Sequence, residues 1–208
     1  MLANIRSDIH RYSNALGPRA RNRLLRLFVS NFGLHATLVY RFGRWLYEGR
    51  RRPLLWIRLV LFPLYWPLIA YVRLAYNIHL DLSADIGPGL LVWHFGGIRL
   101  SNCRLGRLCT IHQQVRIGPA RSLPGPWLGD EVWIGPHAQV VGPYRVGSGA
   151  TIAAGAVVAR DLPARTLSMG SPARVILANF DNKQSLKLAL PAMTQATAAQ
   201  HKGQPGIT

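Results

Sequence analysis

The sequence predicts a mainly β protein: a parallel β-helix preceded by an N-terminal α-helical region and followed by a partly disordered C-terminal tail. Three observations predict it. An aliphatic residue returns every sixth position along Ile86, Val92 and Ile98, then Leu105, Ile111 and Ile117, then Leu128, Ile134, Val140, Val146, Ile152 and Val158. The residue after many of these is small, as at Gly87, Gly106, Gly118, Gly129, Gly135 and Gly147. Before the repeat, apolar residues recur at helical spacing; after it, the chain turns polar.

A helix wants a period of 3.6 and a half-buried strand a period of 2, so a period of six fits neither. It fits a coil with three short sides, each turning one aliphatic side chain into a narrow prism, with a small residue where the chain bends. Three sides of six residues make an 18-residue rung, and the dozen positions predict about four stacked rungs. The phase slips twice. Ile98 to Leu105 spans seven residues, and Ile117 to Leu128 spans eleven, expelling the loop GPARSLPGPW. An expelled loop is a candidate substrate wall.

Residues 1–78 form the helical region. The first fifteen residues are too polar for a secretory signal, so cytoplasmic synthesis is expected. Helices are expected at 20–31 and 35–48, with Gly33 and Gly49 as stops. A third apolar segment runs from Pro53 to Asn77. Its 14 uncharged residues between Arg58 and Arg73 fall short of the roughly 18–20 that span a bilayer, and Pro63 and Pro67 are expected to bend it. Trp45, Trp56 and Trp66 sit among Arg44, Arg50, Arg51, Arg52 and Arg58, a mixture suited to the headgroup layer. Residues 44–77 therefore read equally as a peripheral contact on the inner face of the membrane or as a buried segment packing against a partner subunit or the end of the β-helix.

The net charge is +17. Residues 1–79 hold 13 Arg, no Lys and two acids, Asp8 and Glu48; residues 80–208 hold 12 basic and six acidic residues. Such charge suits nucleic acid, anionic lipid or a polyphosphate. No helix-turn-helix, RNA-recognition or zinc pattern accompanies it, so nucleic acid is set aside. Cys103 and Cys109 are too few for a disulfide framework and read as small buried hydrophobes in a reducing compartment. The β-helix domain covers 79–176. The tail, 177–208, lacks large apolar residues from Pro191 onward and is expected to be disordered.

The small-residue rule fails where Trp93, Arg99 and His112 follow inward aliphatics, next to His94 in VWHFGG. That cluster is the candidate site.

Across 78–176, the stretches IGPGLLVWHFGGIRLS and VGSGATIAAGAVVARDLPARTLSMGSPARVI, with the slip and the expelled loop, resemble hexapeptide-repeat acyltransferases. The resemblance is to serine acetyltransferases and serine-acetyltransferase-like sugar O-acetyltransferases. It implies a left-handed β-helix, a homotrimer with sites between subunits, and acetyl transfer from acetyl-CoA to a hydroxyl without a metal. His94 matches the catalytic histidine of the family. A base with an ordinary pKa near 6.5 can take the hydroxyl proton as it attacks the thioester, and the Gly96–Gly97 backbone is the first candidate for oxyanion donors. The family aspartate fifteen residues earlier is replaced here by His79, with Asp81 two residues on, so the orienting role falls to either or to neither. Trp93 replaces an acidic residue and SLPGPW replaces a Gly-rich loop.

An aromatic face beside the base suits a sugar ring, so Trp93, Arg99, His112 and Gln113 are expected to bind a carbohydrate hydroxyl. The expected acceptor is a small-molecule or lipid-linked sugar of a surface polysaccharide or its precursor. The alternatives are serine O-acetylation and a non-catalytic trimeric binding protein. The family pattern lays the cofactor's pantetheine arm beside Gly135, Gly142, Ala153, Ala154 and Gly170, with Arg174, Lys183 or Lys187 for phosphate. A metal-dependent β-helical relative, the carbonic anhydrase type, needs three converging imidazoles. The expected register stacks His112 on Trp93 and Gln113 on His94, which is poor convergence for His79, His94 and His112.

Overall fold

The computed structural model describes residues 2–15, 31–47, 55–94, 96–120 and 123–182. From Ile78 to Leu177 the chain winds a three-sided parallel β-helix of about five turns. Face one stacks β1 (Ile78–Leu80), β4 (Ile98–Leu100), β7 (Arg116–Gly118), β10 (Gln139–Val141) and β13 (Val157–Val158). Face two stacks β2 (Asp85–Ile86), β5 (Arg104–Leu105), β8 (Trp127–Leu128) and β11 (Arg145–Val146). Face three stacks β3 (Leu91–Val92), β6 (Thr110–Ile111), β9 (Trp133–Ile134), β12 (Thr151–Ile152) and β14 (Leu167–Met169), with β15 (Arg174–Leu177) returning antiparallel.

One column of buried aliphatics per face fills the prism, for example Val92, Ile111, Ile134 and Ile152 on face three. Each such side chain contributes about 1.5–3 kcal/mol when fully buried, so the stack holds itself together. The fifth turn escaped the repeat count because Leu162 bridges Val146 only four residues after Val158, and Ser168 takes the inward place below Ile152. Neither matches a six-residue aliphatic period.

The first phase slip lies elsewhere than expected. Leu100, not Ile98, stands in register with Ile117, while Ile98 pairs with Ile78. The extra residues therefore fall between Val92 and Leu100, in the corner that carries His94. Both isoleucine and leucine are buried, so aliphatic character alone could not choose between them. The expelled loop leaves β7 and returns to β8 at the edge between faces one and two, where Gly125 crowds the Asn102 carbonyl.

Among the described residues three helices precede the coil: α1 (Leu2–Ala15), α2 (Phe32–Tyr47) and α3 (Leu55–Tyr76). The helix expected over 20–31 lies, apart from its last residue, outside the described residues, as does the tail from 183. The sequence reading passed over α1 because the side chains it buries most deeply are polar or amphipathic: Asp8, Tyr12 and Ser13. Asp8 accepts the Arg41 Nε–H at 2.9 Å and the peptide N–H groups of Gly89 and Leu90 at 2.7 and 3.0 Å. Arg41 in turn donates to the carbonyls of Ile86 and Gly87. Both charges are buried and their hydrogen bonds are made, which clamps α1 and α2 onto the first turn.

Gly33 is not a stop. It lies inside α2, where a Cβ would meet the Val92 carbonyl at 2.5 Å and the Tyr12 hydroxyl at 2.8 Å. Glycine there sets the close approach of helix to strand. Pro63 and Pro67 likewise do not interrupt α3, which stays helical throughout.

Candidate functional site

β3 is the outermost strand of face three, and Tyr12 finishes its free edge. The Tyr12 hydroxyl accepts the Val92 N–H at 2.9 Å and donates to the Val92 carbonyl at 3.4 Å; burial pushes its pKa up, keeping the phenol neutral. The next two residues are Trp93 and His94. Trp93 is half-buried and packs against the cluster of Tyr12, Leu34 and Leu91, so its ring serves the docking of α1 and α2, with its centroid 6.1 Å from that of His94 and the two planes near perpendicular. His94 is exposed, with φ +70°, at the widened corner between faces three and one.

Directly below in the stack, His112 follows Ile111 as Trp93 follows Val92, and the Trp93 N–H donates to the Ile111 carbonyl at 2.7 Å. The His112 ring lies 6.4 Å from His94 and 4.6 Å from Trp133, centroid to centroid. It is buried, and its Nδ1 lies 2.9 Å from the Ile134 carbonyl. A carbonyl only accepts, so Nδ1 carries the proton and Nε2 the lone pair. Burial pushes the His112 pKa down to about 4, the Ile134 hydrogen bond works against that, and nearby His94 adds a smaller downward push. His112 is therefore a neutral imidazole beside an exposed one.

The same edge continues down the coil. Gln113 lies in the corner of the second turn, and its buried side-chain oxygen has no hydrogen-bond partner among the described residues. Gly135, Ala153 and Ala154, then Gly170, hold the matching corners of the third, fourth and fifth turns. Gly135 has a packing reason to be small: a Cβ would stand 2.6 Å from the Ala154 nitrogen. At Gly155, beside Ala154, the space for a side chain is open.

Other expected residues lie apart. Gly142 sits between faces one and two, and its N–H donates to the Gly118 carbonyl. His79 and Arg99 point outward from face one, in register on β1 and β4. Partial burial lowers the His79 pKa, Arg99 and Arg73 lower it further, and Asp81 opposes them. Asp81 lies past the end of β1, toward face two; among the described residues neither it nor His79 hydrogen-bonds His94. Arg174 opens β15, exposed at the far end, and Lys183 and Lys187 lie outside the described residues. No three His, Cys, Asp or Glu side chains converge as a metal site among the described residues.

Sequence reasoning missed Trp133, which shelves His112, and Arg11, whose Nη2 donates to Thr110 Oγ1 at 2.8 Å. Both border a cavity of about 340 Å³ between α1 and face three, with His10, Asn14 and Glu131. Trp133 was legible in principle, since it precedes Ile134 as Thr110 precedes Ile111. Arg11 was not, because α1 itself was not expected.

Residues 125–160 match the family described as bacterial transferase hexapeptide, six repeats. The serine acetyltransferase of Synechococcus elongatus is 30% identical over 164 residues, 76% of this chain and 62% of that protein. That of Escherichia coli K12 is 31% identical over 161 residues, 75% of this chain and 55% of that protein. The chain carries the hexapeptide repeat and is similar to serine acetyltransferases over three quarters of its length. Among solved structures, Neisseria gonorrhoeae serine acetyltransferase superposes with TM-score 0.70 at 26% identity, covering 86% of this chain and 66% of that one. Soybean serine acetyltransferase complexed with serine gives TM-score 0.67 at 27% identity, covering 84% and 70%. The left-handed β-helix implied by the motifs is the fold this hexapeptide-repeat protein shares with them. It spans 55–62% of the length of the first two curated relatives.

These relatives do not support the sugar acceptor, and the alternative acceptor, serine, fits them better. Trp93, the residue that suggested a sugar platform, also packs against the helices.

Proposed function

We propose that this protein is an acetyl-CoA-dependent O-acetyltransferase with serine as acceptor, and that His94 is its base. The observation that carries the reading is the exposed His94 at a widened corner, beside a neutral His112, at the head of an edge lined with small residues. A hydroxyl is a weak nucleophile at neutral pH and needs a base within hydrogen-bond reach. His94 takes the serine hydroxyl proton as the oxygen attacks the acetyl carbonyl carbon; the C–O bond forms, the C–S bond breaks, and the imidazolium returns the proton to the departing thiolate. The products are O-acetylserine and the free thiol of coenzyme A. The Gly96–Gly97 backbone is the proposed donor to the oxyanion.

The corners at Gly135, Ala153, Ala154 and Gly170 leave room for the pantetheine arm to approach the backbone. Within one chain, the expelled loop lies on a different edge from His94. The site therefore draws its outer wall from a neighbouring copy, in keeping with a homotrimer. His79 and Asp81 orient His94 only if the substrates or that neighbour bring them together.

The test supplies the purified chain with acetyl-CoA and L-serine and follows free thiol. Serine-dependent release that is lost in His94→Ala supports the reading. Release independent of serine, or undiminished in His94→Ala, overturns it.

A further inference from the structure

The charges of the β-helix are sorted by face. On face two, Asp85 pairs with Arg104 at 3.6 Å and with Arg44 at 3.5 Å. At the edge beyond it, Asp130 accepts from Arg107 at 2.9 Å. On face one, His79, Arg99 and Arg116 stand in register on three successive strands, facing outward. Among the described residues, neither Arg99 nor Arg116 has an ion-pair partner. Like charges opposite one another on neighbouring strands repel, so this row favours an external anion.

The row begins beside α3, which packs against β1 and whose Arg73 lies close enough to act on His79. α3 buries one narrow stripe, Tyr65, Ile69, Val72 and Tyr76. Trp56, Leu59, Val60, Trp66, Tyr71 and Leu74 are all exposed, Leu74 by 86%. At about 100° per residue, Arg58 and Arg73 fall within roughly 80° of the buried stripe, and the opposite face carries no charge over its whole length. The segment Arg58–Tyr76 is long and apolar enough to cross a membrane, and 22% of it is buried.

The packing decides against crossing. α2 and α3 form a hairpin, with Tyr47 against Phe62 and Tyr65 at 5.9 and 5.6 Å. Arg41, six residues before Tyr47, is fixed to the first turn of the coil, so the end of α2 reaches only about 9 Å beyond it. Pro63 and Pro67 also leave the carbonyls of Leu59 and Pro63 without intrahelical donors, which water in a headgroup layer satisfies. Anionic lipid complements the arginines that flank this face, Arg58 and Arg73, in a chain of net charge +17.

We propose that α3 and the cationic row of face one form one docking surface for an anionic phospholipid bilayer. α3 lies in the headgroup layer with Trp56, Leu59, Trp66 and Leu74 toward the acyl chains, and Arg73, Arg99 and Arg116 meet lipid phosphates. The inference does not depend on the acyl-transfer reading.

The test floats the purified full chain with vesicles of phosphatidylcholine alone or with 30 mol% phosphatidylglycerol (about that fraction, to set a physiological surface charge). The chain is expected to float with the anionic vesicles and to remain below with the neutral ones. Arg99→Gln and Arg116→Gln are each expected to lower partitioning about fivefold, and 0.5 M salt (roughly a 4 Å screening length) to lower it further. The pair Leu59→Glu with Leu74→Glu, on exposed positions, is expected to abolish flotation while circular dichroism stays unchanged. Failure of the wild-type chain to float with anionic vesicles overturns the proposal. So does equal flotation of the Leu59→Glu, Leu74→Glu pair, or a fall in oligomer mass by light scattering in that pair with flotation unaltered, which would assign the face to a second copy.

Discussion

The imidazoles of His94 and His112 lie 6.4 Å apart with their planes tilted by 47°. One is exposed and the other buried, which gives a single corner two histidines with different duties. His94 is free to meet a substrate. His112 has its Nδ1–H committed to the Ile134 carbonyl and presents an uncharged ring to its neighbour.

Replacing His94 separates chemistry from stability. A positive φ costs an L-residue about 1–2 kcal/mol that glycine does not incur, and His94 has φ +70°. His94→Gly is therefore expected to fold at least as stably as the parent while losing about 10²–10⁴ in kcat, the usual contribution of a positioned base. Thermal melts and thiol release on the same preparation check both halves. A variant that loses stability and activity together would mark His94 as structural.

His112 makes stability depend on pH. Its folded pKa, about 4, lies below the unfolded value near 6.5, so between those limits the unfolded chain binds a proton that the native one refuses. Its contribution is fully present above pH 6.5 and is lost as pH falls toward 4, by up to about 1.4 kcal/mol per pH unit. Chemical denaturation from pH 7 to 4 is expected to show that slope, and His112→Asn to flatten it. An unchanged slope in the variant would assign the pH dependence to other groups.

Much of this architecture is legible in the sequence because a prism core is one-dimensional: a buried aliphatic every sixth residue leaves a mark that no helix or open sheet leaves. The mark fades where the inward residue is not aliphatic, as at Ser168, and where two candidates compete, as at Ile98 and Leu100. Of the site, the pairing of Trp93 with His112 follows from the repeat, and so does the edge through Gly135 and Ala153. What the repeat could not show is what comes from outside it. Trp93 looked free because α1 was invisible, and α1 was invisible because it docks through Asp8 and Tyr12. Gly33 looked like a stop because a glycine needed for close packing and one needed for a turn read alike.

The Asp8–Arg41 pair at 2.9 Å holds the helices to the coil. Removing one partner of a buried pair leaves a buried charge and typically costs about 3–5 kcal/mol. Asp8→Ala is expected to fall in that range by denaturant titration, and the double variant Asp8→Ala, Arg41→Met to recover part of it. Loss of less than about 1 kcal/mol in Asp8→Ala would show that water reaches the pair.

Tyr12 offers a way to loosen the catalytic corner without touching it. Its hydroxyl is the partner for both the N–H and the carbonyl of Val92, two residues before His94. Tyr12→Phe keeps the ring and its packing but strands a buried donor and acceptor at the edge of face three. Such unmet groups cost about 1–3 kcal/mol, and the strand end they leave loose is the one that aims Trp93 and His94. The expected result is a stability loss of that size together with a lower kcat and a little-changed KM for serine, since the proton-transfer geometry suffers before the binding groups of the later turns do. His112→Asn is the useful comparison, because it perturbs the same corner from below while leaving the β3 edge intact. If Tyr12→Phe lowered stability with kcat unaffected, the α1 contact would be a fastening of the fold alone, and His94 would owe its position to the β-helix register.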